Sequence, residues 1–259
     1  REASLAVEAV ADGKFDITVD PKGPQDRLGL SLLRMTTALG DRAWLRNHTL
    51  ELVETMADTD DIRELSQRTI AYMAKALNAK MASLYLANER GDVLVLHSTY
   101  ARYKPINPSR EIQLGEGITG QAALEKHMIS LSNVPEDYPQ LSSSLGNTSP
   151  RHILAAPLLH EGRLIGVAEF ASVDKFSDLQ LSLLRQSSEN IAVALGSATD
   201  RSRLAQLLQQ SQSQSEELQS QQEELRASNE ELELQSDELK ASNEELEEKT
   251  EALERQKQE

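Results

Sequence analysis

The stretch "RHILAAPLLHEGRLIGVAEFAS", residues 151–172, decides the fold of this chain. Two apolar runs, "HILAAPLLH" and "RLIGVAEFAS", stand on either side of the short glycine-containing turn "HEGR". Apolar runs of this length around such a turn are typical of a β-hairpin. We therefore predict an antiparallel pair of strands at 152–160 and 163–172.

The same kind of pattern recurs upstream of this hairpin. Further strands are predicted at 81–87, 92–101 and 128–134, and the turn "ERGD" joins the first two. Helices are predicted from Asp61, near 117–126 and from Ser177. Asp61 with Glu64, and Ser177 with Gln180, have the spacing of a capping box at a helix start. Helices around antiparallel strands predict an α+β fold, with an antiparallel sheet flanked by helices.

The C-terminal segment carries a seven-residue repeat. Leucine recurs at every seventh position: Leu218, Leu225, Leu232, Leu239, Leu246 and Leu253. This spacing predicts a long parallel coiled coil, in which an apolar seam faces a partner helix. The second core position of each heptad is polar, however: Gln222, Asn229, Ser236, Asn243 and Thr250. Paired Asn229 and Asn243 side chains can fix a parallel two-stranded register at a cost in stability.

Composition marks the boundary of the coiled coil. All eight prolines lie at or before Pro157, all nine aromatics at or before Phe176, and all twelve glycines at or before Gly196. The net charge is −15, of which −10 falls on residues 200–259. We therefore expect the helix that begins near Ser177 to run unbroken to about residue 250, with a solvated acidic surface.

Several function classes are disfavoured by composition. The chain has no cysteine, so disulfides and thiolate metal sites are excluded. No basic stripe with interleaved aromatics is present, and nucleic-acid binding is not expected. The five histidines show no i, i+4 pair, so neither a metal nor another cofactor is predicted. No apolar run approaches the roughly 20 residues that span a bilayer.

The N-terminal segment carries two short apolar stripes joined by a proline-containing connector. The first stripe has Ala3, Ala6 and Val10; the second has Leu28, Leu32, Met35 and Leu39. Residues 1–39 resemble part of a HAMP domain, the parallel four-helix relay of bacterial receptors, although Arg27 stands where that family has an acidic residue. An ordinary helical hairpin is the alternative. A connecting helix is expected over 40–59.

Two stretches in the middle of the chain resemble a GAF domain. They are "GEGITGQAALEKHMISLSNVPEDY", residues 115–138, and the hairpin of residues 151–172. The resemblance covers residues 60–198 and is closest to the GAF domains of bacterial hybrid sensor histidine kinases. The tail, residues 199–259, resembles the signalling coiled coil that precedes the kinase in those proteins.

The order of HAMP, GAF and signalling helix implies the input half of a sensor histidine kinase. The resemblance implies a cytoplasmic fragment that forms a parallel homodimer, from a parent anchored in the inner membrane upstream of residue 1. The residues expected at the dimer interface are the six heptad leucines with Asn229 and Asn243, and the N-terminal stripe of Leu28, Leu32, Met35 and Leu39. No phosphoacceptor histidine motif or glycine-rich ATP lid is present, so this piece is expected to modulate a downstream kinase of the same chain and not to be an enzyme itself. Two alternatives remain: a ligand-free GAF that serves as a dimerisation spacer, or the input module of a cyclase, phosphatase or chemoreceptor.

The GAF resemblance also implies a small-molecule site between the sheet and its connections. The polar loop 136–151 is long enough to be a lid over that site. The candidate lining residues are Tyr85, His97, Tyr100, His127, Arg151 and Glu169. The ligand itself cannot be named from the residues.

The motif "GEGITG", residues 115–120, also matches the dinucleotide fingerprint GxGxxG. That fingerprint needs a parallel βαβ unit, which the predicted hairpins oppose. The structural alternative is that Gly115 and Gly117 allow a tight turn and that Gly120 allows close packing. "VDKFSDLQ", residues 173–180, loosely resembles a signature of cyclic-nucleotide GAF domains, but Asp174 replaces its asparagine.

Overall fold

A computed structural model describes residues 10, 20–21, 23, 25–57, 59, 61–101, 111–132, 134, 141–143 and 146–258, without the side chains of residues 141–148, 248 and 251–258. Most of the segment that resembles the first HAMP helix and its connector therefore lies outside the described residues. The chain divides into two compact units, Arg1–Ser202 and Arg203–Glu259. Within the described ranges, none of the helices combines the length and the apolarity that crossing a bilayer requires.

The elements alternate between helices and antiparallel strands, which confirms the predicted α+β class. The helices are α1 Arg27–Ala57, α2 Ile62–Ala76, α3 Gly117–Glu125 and α4 Asp178–Gln258. The strands are β1 Met81–Ala87, β2 Val93–Tyr100, β3 Glu111–Gln113, β4 Ile129–Ser132, β5 Leu141–Ser143, β6 Gly146–Thr148, β7 His152–His160 and β8 Arg163–Ser172. The bounds of β1, β7 and β8 are those predicted from the apolar runs.

Six strands form one sheet in the order β3-β2-β1-β8-β7-β4, with every neighbouring pair antiparallel. The hairpin of β7 and β8 forms the longest pairing. Its turn residues Glu161 and Gly162 both have positive φ, 50° and 78°. Two consecutive residues of positive φ make the tight turn that matches the natural twist of paired strands. The short turn therefore sets the register of the pairs next to it, and an irregularity between Leu158 and Leu159 shifts the register of the rest of the hairpin.

Two features of the sheet differ from the sequence prediction. The three-residue strand β3 pairs with β2 and was not predicted. The predicted polar loop 136–151 contains a separate two-stranded sheet, β5 with β6, so it is not an irregular loop throughout. The rest of that loop up to residue 145 lies outside the described residues, and so does the expected contact of a lid with the sheet.

Both predicted helix starts are capped, but in different ways. At α4, the Ser177 amide donates to Gln180 Oε1 (2.8 Å) and the Gln180 amide donates to Ser177 Oγ (3.2 Å), which is the predicted capping box. At α2, Asp61 Oδ1 accepts from the Arg63 amide at 2.9 Å. Glu64 does not close a box there, because its carboxylate accepts from the Thr59 hydroxyl instead (2.9 Å).

The core lies on both faces of the six-stranded sheet. On one face α2, the end of α1 and the start of α4 pack against the strands, with Leu52, Leu65, Ile70, Met73, Leu154, Phe170, Leu183 and Leu195 among the buried residues. On the other face α3 packs through Ala122 and Ala123 against Tyr85, Leu94, Ala155 and Val167. The small alanines allow α3 to lie close to the sheet.

The glycines of "GEGITG" shape the entry into α3. Gly115 and Gly117 have positive φ, 85° and 62°, which side chains other than glycine rarely adopt. A Cβ atom on Gly120 would overlap the carbonyl oxygen of Gln113. The motif is therefore a tight turn and a close contact in an antiparallel sheet, which excludes the parallel βαβ unit of the dinucleotide reading.

The unit Arg203–Glu259 consists of the later part of α4, which has no break along its 81 residues. The predicted continuity of this helix is confirmed. The seam leucines whose side chains are described are all exposed in the single chain: Leu218, Leu225, Leu232, Leu239 and Leu246. Asn229 and Asn243 are exposed too, and the side chain of Leu253 lies outside the described set. In α1, Leu28 and Met35 are exposed, Leu39 is half-buried and Leu32 is buried.

Candidate functional site

A cavity of about 260 Å³ lies between the sheet and the start of α3. Its floor comes from β1 and β8, and its wall comes from the turn that leads into α3. The lining residues are Met81, Ala82, Ser83, Tyr85, Ile112, Glu116, Gly117, Ile118, Thr119, Glu169 and Ala171. This volume is just below the range of roughly 300–1,000 Å³ that is usual for drug-sized ligands, so it suits a smaller molecule or a fragment of a larger one.

Strand alternation and register bring the polar lining residues together. Side chains two residues apart in a strand point to the same face, so Ser83 and Tyr85 both face α3. In the pairing of β1 with β8, Ser83 stands opposite Glu169. Directly opposite residues have adjacent side chains, so a hydroxyl, a phenol and a carboxylate meet in the middle of the sheet.

A hydrogen bond joins α3 to this polar group. The Thr119 hydroxyl donates to Glu169 Oε2 at 2.6 Å. Thr119 is buried, with 5% of its surface exposed, and Glu169 is half-buried. Bonds from a hydroxyl to a carboxylate are short and stronger than those between neutral groups. A ligand group that reaches Glu169 therefore also affects a bond that positions α3.

The charged residues among the described lining are both acidic. Glu116 lies at the N-cap of α3, and its Oε2 accepts from the Gln113 amide at 3.0 Å. Glu169 lies across the cavity on β8. Two carboxylates at one cavity favour a ligand that presents hydrogen-bond donors or a cationic group towards them.

The structure brings together two of the six predicted ligand residues, Tyr85 and Glu169. His127 lies in a different groove, together with Lys126 and Arg185. Arg151 is exposed at the start of β7, where its amide donates to the Ser172 carbonyl oxygen (2.9 Å). That any of these residues contacts a ligand stays a prediction.

The remaining two candidates pack towards the helices on the opposite face of the sheet. Tyr100 packs against the cluster that contains α2 and the start of α4. His97 lies near Asp61 and Arg63 at the start of α2. Its partial burial, followed by the nearby Arg63 charge, lowers the pKa of the His97 imidazole, and Asp61 opposes the shift. Within the described part of the chain, His97 Nδ1 is buried without a hydrogen-bond partner.

Three polar lining residues were missed by the sequence analysis: Ser83, Glu116 and Thr119. Ser83 lies two residues before Tyr85 in β1, so the two side chains face the same side of the sheet. This spacing could have identified Ser83 from the sequence. Glu116 and Thr119 belong to the glycine turn, which was analysed only for its backbone. Among the residues that the structure describes, no three of His, Asp and Glu are placed to hold a metal ion.

Comparison with known proteins agrees with the fold. A family model described as "GAF domain" matches residues 59–196, which is more than half of the chain. The sequence matches no curated protein.

Two solved structures share the fold. One is the GAF domain of the Acinetobacter phosphoenolpyruvate-protein phosphotransferase, with 17% identity, a TM-score of 0.50, and coverage of 61% of this chain and 97% of the other. The second is the GAF domain of the corresponding Coxiella burnetii protein, with 16% identity, a TM-score of 0.51, and coverage of 61% and 96%. On the family match and this shared architecture, the chain belongs to the GAF domain family, whose members are typically sensory and signalling modules.

Proposed function

We propose that this chain is the sensory and relay portion of a bacterial two-component sensor histidine kinase. The GAF domain senses a small molecule or relays a signal from a HAMP domain, and a dimeric coiled coil passes the change to a kinase further along the polypeptide. In this proposal the fragment itself is no enzyme. It lies in the cytoplasm, below a membrane anchor of the parent protein.

The observation that carries this proposal is helix α4. Its first turns supply Leu183, Leu184, Ile191 and Leu195 to the domain core, and its later turns carry the leucine heptads. One uninterrupted helix thus belongs to the folded domain and to the segment that resembles a signalling coiled coil. A displacement of the first part has no loop in which to be absorbed.

The exposed leucine seam supports a second copy of the chain as the partner. Leucines every seven residues, each more than half exposed in a single chain, are the pattern of a parallel two-stranded coiled coil. The dimer is tested by light scattering and by disulfide crosslinking of Leu218→Cys, which lies at one end of the leucine seam, so that a fully paired seam brings the two cysteines together only when the helices are parallel. A monomer at tens of micromolar, or no crosslink, contradicts this part of the proposal.

The polar layers between the leucines suit a switch. Each leucine layer stabilises the dimer, whereas Gln222, Asn229, Ser236 and Asn243 weaken it. A conformational switch needs two packings that differ by only a few kcal/mol. Replacing these four residues together by isoleucine should raise the melting temperature of the tail and hold the parent's output in one state. If the stiffened parent still responds normally to its signal, the coiled coil is a spacer.

The cavity beside Glu169 is the proposed sensory site. We expect it to take a small molecule with a donor or cationic group directed at Glu169 and Thr119. Native mass spectrometry of the chain purified from its host tests for such a ligand. Glu169→Gln should release it, because it removes the negative charge and keeps the size of the side chain. A chain that carries no bound mass and a cavity that tolerates Thr119→Val without effect would favour the ligand-free spacer.

The kinase assignment is tested separately from the ligand. The proposal expects the coding sequence that follows Glu259 to contain a phosphoacceptor histidine and an ATP-binding domain. The longer protein should incorporate phosphate from ATP on that histidine. A cyclase, a phosphatase or a chemoreceptor signalling domain in that place would leave the GAF relay standing and replace only its output.

A further inference from the structure

The last part of α1 is attached to α2 by a group of polar and aromatic side chains. Trp44, His48 and Glu51 are spaced four and three residues apart, so they share one face of α1. Tyr72 of α2 faces them. The hydroxyl oxygen of Tyr72 lies 2.8 Å from His48 Nδ1, 3.0 Å from the His48 carbonyl oxygen and 3.0 Å from Glu51 Oε2. The rings of Trp44 and His48 meet edge to face at 4.3 Å between centroids.

The donors and acceptors of this group favour one position for the proton of the neutral His48 imidazole. Tyr72 has a single hydroxyl proton, and both the His48 carbonyl and Glu51 can only accept it. If His48 Nδ1 were also an acceptor, three acceptors would surround one proton. A proton on His48 Nδ1 lessens this conflict, because Nδ1 then donates to the Tyr72 oxygen while the Tyr72 hydroxyl donates to one of the other two. Two of the three short distances are then hydrogen bonds, instead of one.

The Tyr72 hydroxyl is well suited to remain a donor. Its burial, followed by the hydrogen bond and the negative charge of Glu51, raises the pKa of Tyr72 above its ordinary value. The hydroxyl therefore stays protonated at any physiological pH. Glu51 also lies 3.8 Å from His48 Nδ1, so a second proton on the imidazole would add an ion pair to the same group.

The hydrogen bonds of this group fix the rotation of α1 about its axis, which the surrounding apolar contacts leave free. Leu45, Leu52 and Met56 also face the domain, but apolar contacts are non-directional and allow a helix to roll. Hydrogen bonds to Tyr72 are directional and are lost when α1 turns about its axis. At 3.6 residues per turn, Leu50 and Val53 lie about 200° and 140° around the helix from His48. Both are exposed, so the group determines that this apolar side is presented away from the domain.

We propose that Trp44, His48, Glu51 and Tyr72 form a clasp that sets the rotation of α1 relative to the GAF domain, with the proton of His48 on Nδ1. With the clasp closed, a turn of α1 moves α2 and the sheet behind it. With the clasp open, α1 rotates on its apolar contacts and its rotation is not passed on to α2 and the sheet. This inference does not depend on whether the cavity beside Glu169 binds a ligand.

The test uses Tyr72→Phe, which keeps the ring and removes the hydroxyl. Tyr100→Phe is the matched control: Tyr100 packs against the same core, and no hydrogen bond of its hydroxyl occurs among the described residues. The chain has no cysteine, so Arg46→Cys on α1 and Lys75→Cys on α2 can carry the only two nitroxide labels. Labelled chains are diluted with unlabelled ones so that each dimer holds one labelled pair. The distance distribution is then measured by pulsed electron paramagnetic resonance.

We expect Tyr72→Phe to broaden the distance distribution and Tyr100→Phe to leave it unchanged. Amide exchange over residues 41–57 should become about 2- to 12-fold faster in Tyr72→Phe, the range for the loss of one hydrogen bond of ordinary net strength. Exchange in β8 should stay the same. Trp44 is the single tryptophan, so its emission should shift to the red and its quenching by acrylamide should increase. Equal results for the two phenylalanine variants would overturn the clasp.

Substitutions of His48 test the assigned proton and provide a second route if Tyr72→Phe fails to fold. Asparagine at this position can place an N–H donor near the site of Nδ1, aspartate has the same shape but can only accept, and phenylalanine keeps a ring without a donor or an acceptor. We expect His48→Asn to retain the narrow distance distribution, and His48→Asp and His48→Phe to broaden it as Tyr72→Phe does. A narrow distribution in His48→Asp would show that an acceptor is sufficient, and a broad one in His48→Asn would show that a donor is not; either result would overturn the proton assignment. No broadening in any of the three would overturn the clasp.

Discussion

Helix α4 contributes to two regions whose leucines are in opposite environments. Leu183, Leu184 and Leu195 are fully buried against the sheet. Further along the same helix, Leu218 and Leu225 are each 65% exposed in the single chain. The first group is stabilised by contacts within its own chain, whereas the second gains that stabilisation only when another helix covers it. Helix formation is therefore common to both regions, and only the first buries its leucines within the single chain.

The largest expected effect is in the buried region. Phe170 is fully buried in the centre of β8. Phe170→Ala should lower the free energy of unfolding by about 3–5 kcal/mol, because it removes a large side chain and leaves a cavity. Denaturant unfolding followed by Trp44 fluorescence measures it. Leu234→Ala, at an exposed position of α4, is the control and should change stability by no more than about 0.5 kcal/mol. A loss below about 1 kcal/mol for Phe170→Ala would contradict the packing of this face.

The next largest effect is on dimer stability, and it distinguishes the leucines of the heptad series from the other leucines of the tail. Leu232 and Leu234 lie two residues apart on α4 and are similarly exposed, but only Leu232 is in the heptad series. Leu232→Ala should weaken the proposed dimer by about 1.5–3 kcal/mol for each chain, because a buried leucine is lost from the seam. Leu234→Ala should leave the dimer unchanged. Sedimentation over a range of concentrations measures both, and equal weakening would mean that the seam has a different register.

A pair of glycine substitutions compares two close contacts of the first unit. A Cβ atom on Gly196 would meet Ile165 Cδ1 at 3.5 Å, an ordinary contact, whereas a Cβ atom on Gly120 would overlap the Gln113 carbonyl oxygen. Gly196→Ala should therefore stabilise the chain by up to about 1 kcal/mol, since alanine favours the helix. Gly120→Ala should destabilise it. Thermal unfolding of the two variants measures the contrast, and destabilisation by both would show that Gly196 also has a conformational role.

The smallest expected effect is the pH dependence of stability that His97 contributes, on the face of the sheet that α2 covers. The pKa of His97 is lowered in the folded state, so between that pKa and the unfolded value of about 6.5 the unfolded chain binds more protons. The contribution of His97 to stability is thus present above about pH 6.5 and is lost as the pH falls below it. Asp61 opposes and Arg63 reinforces the shift. His97→Gln should lessen the loss of stability between pH 7.5 and 5.5, as measured by urea midpoints. An unchanged pH dependence would exclude His97 as a contributor.

The best sequence predictions were those that depend on local chemistry. The bounds of β7 and β8 followed from a turn in which Glu161 and Gly162 take positive φ, and the start of α4 followed from the Ser177 and Gln180 pair. Strand β3 was missed because three residues carry no periodicity, and its pairing with β2 is formed only in the folded sheet. The sheet of β5 and β6 was missed because its residues are small and polar.

The candidate site was predictable only in part, for the same reason. Tyr85 and Glu169 were singled out as polar groups on strands, but their meeting depends on the register of β1 with β8. His97 and Tyr100 follow Tyr85 closely in sequence, yet the β-bulge in the pairing of β1 with β2 and the faces of the strands direct them to the other side of the sheet. A shift of one residue in a strand changes the face of every side chain that follows.

By itself, the sequence determined the α+β class and the heptad-bearing helix, because turn residues, caps and periodicity act over a few neighbours. The GAF domain was indicated by resemblance to a known family. Tertiary structure alone decided that Thr119 would donate to Glu169 across 50 residues and that His48 would meet Tyr72 across 24. Those contacts depend on how whole helices lie on a sheet. The positions of the helices follow from the sum of many packing contacts, and no local pattern of residues encodes that sum.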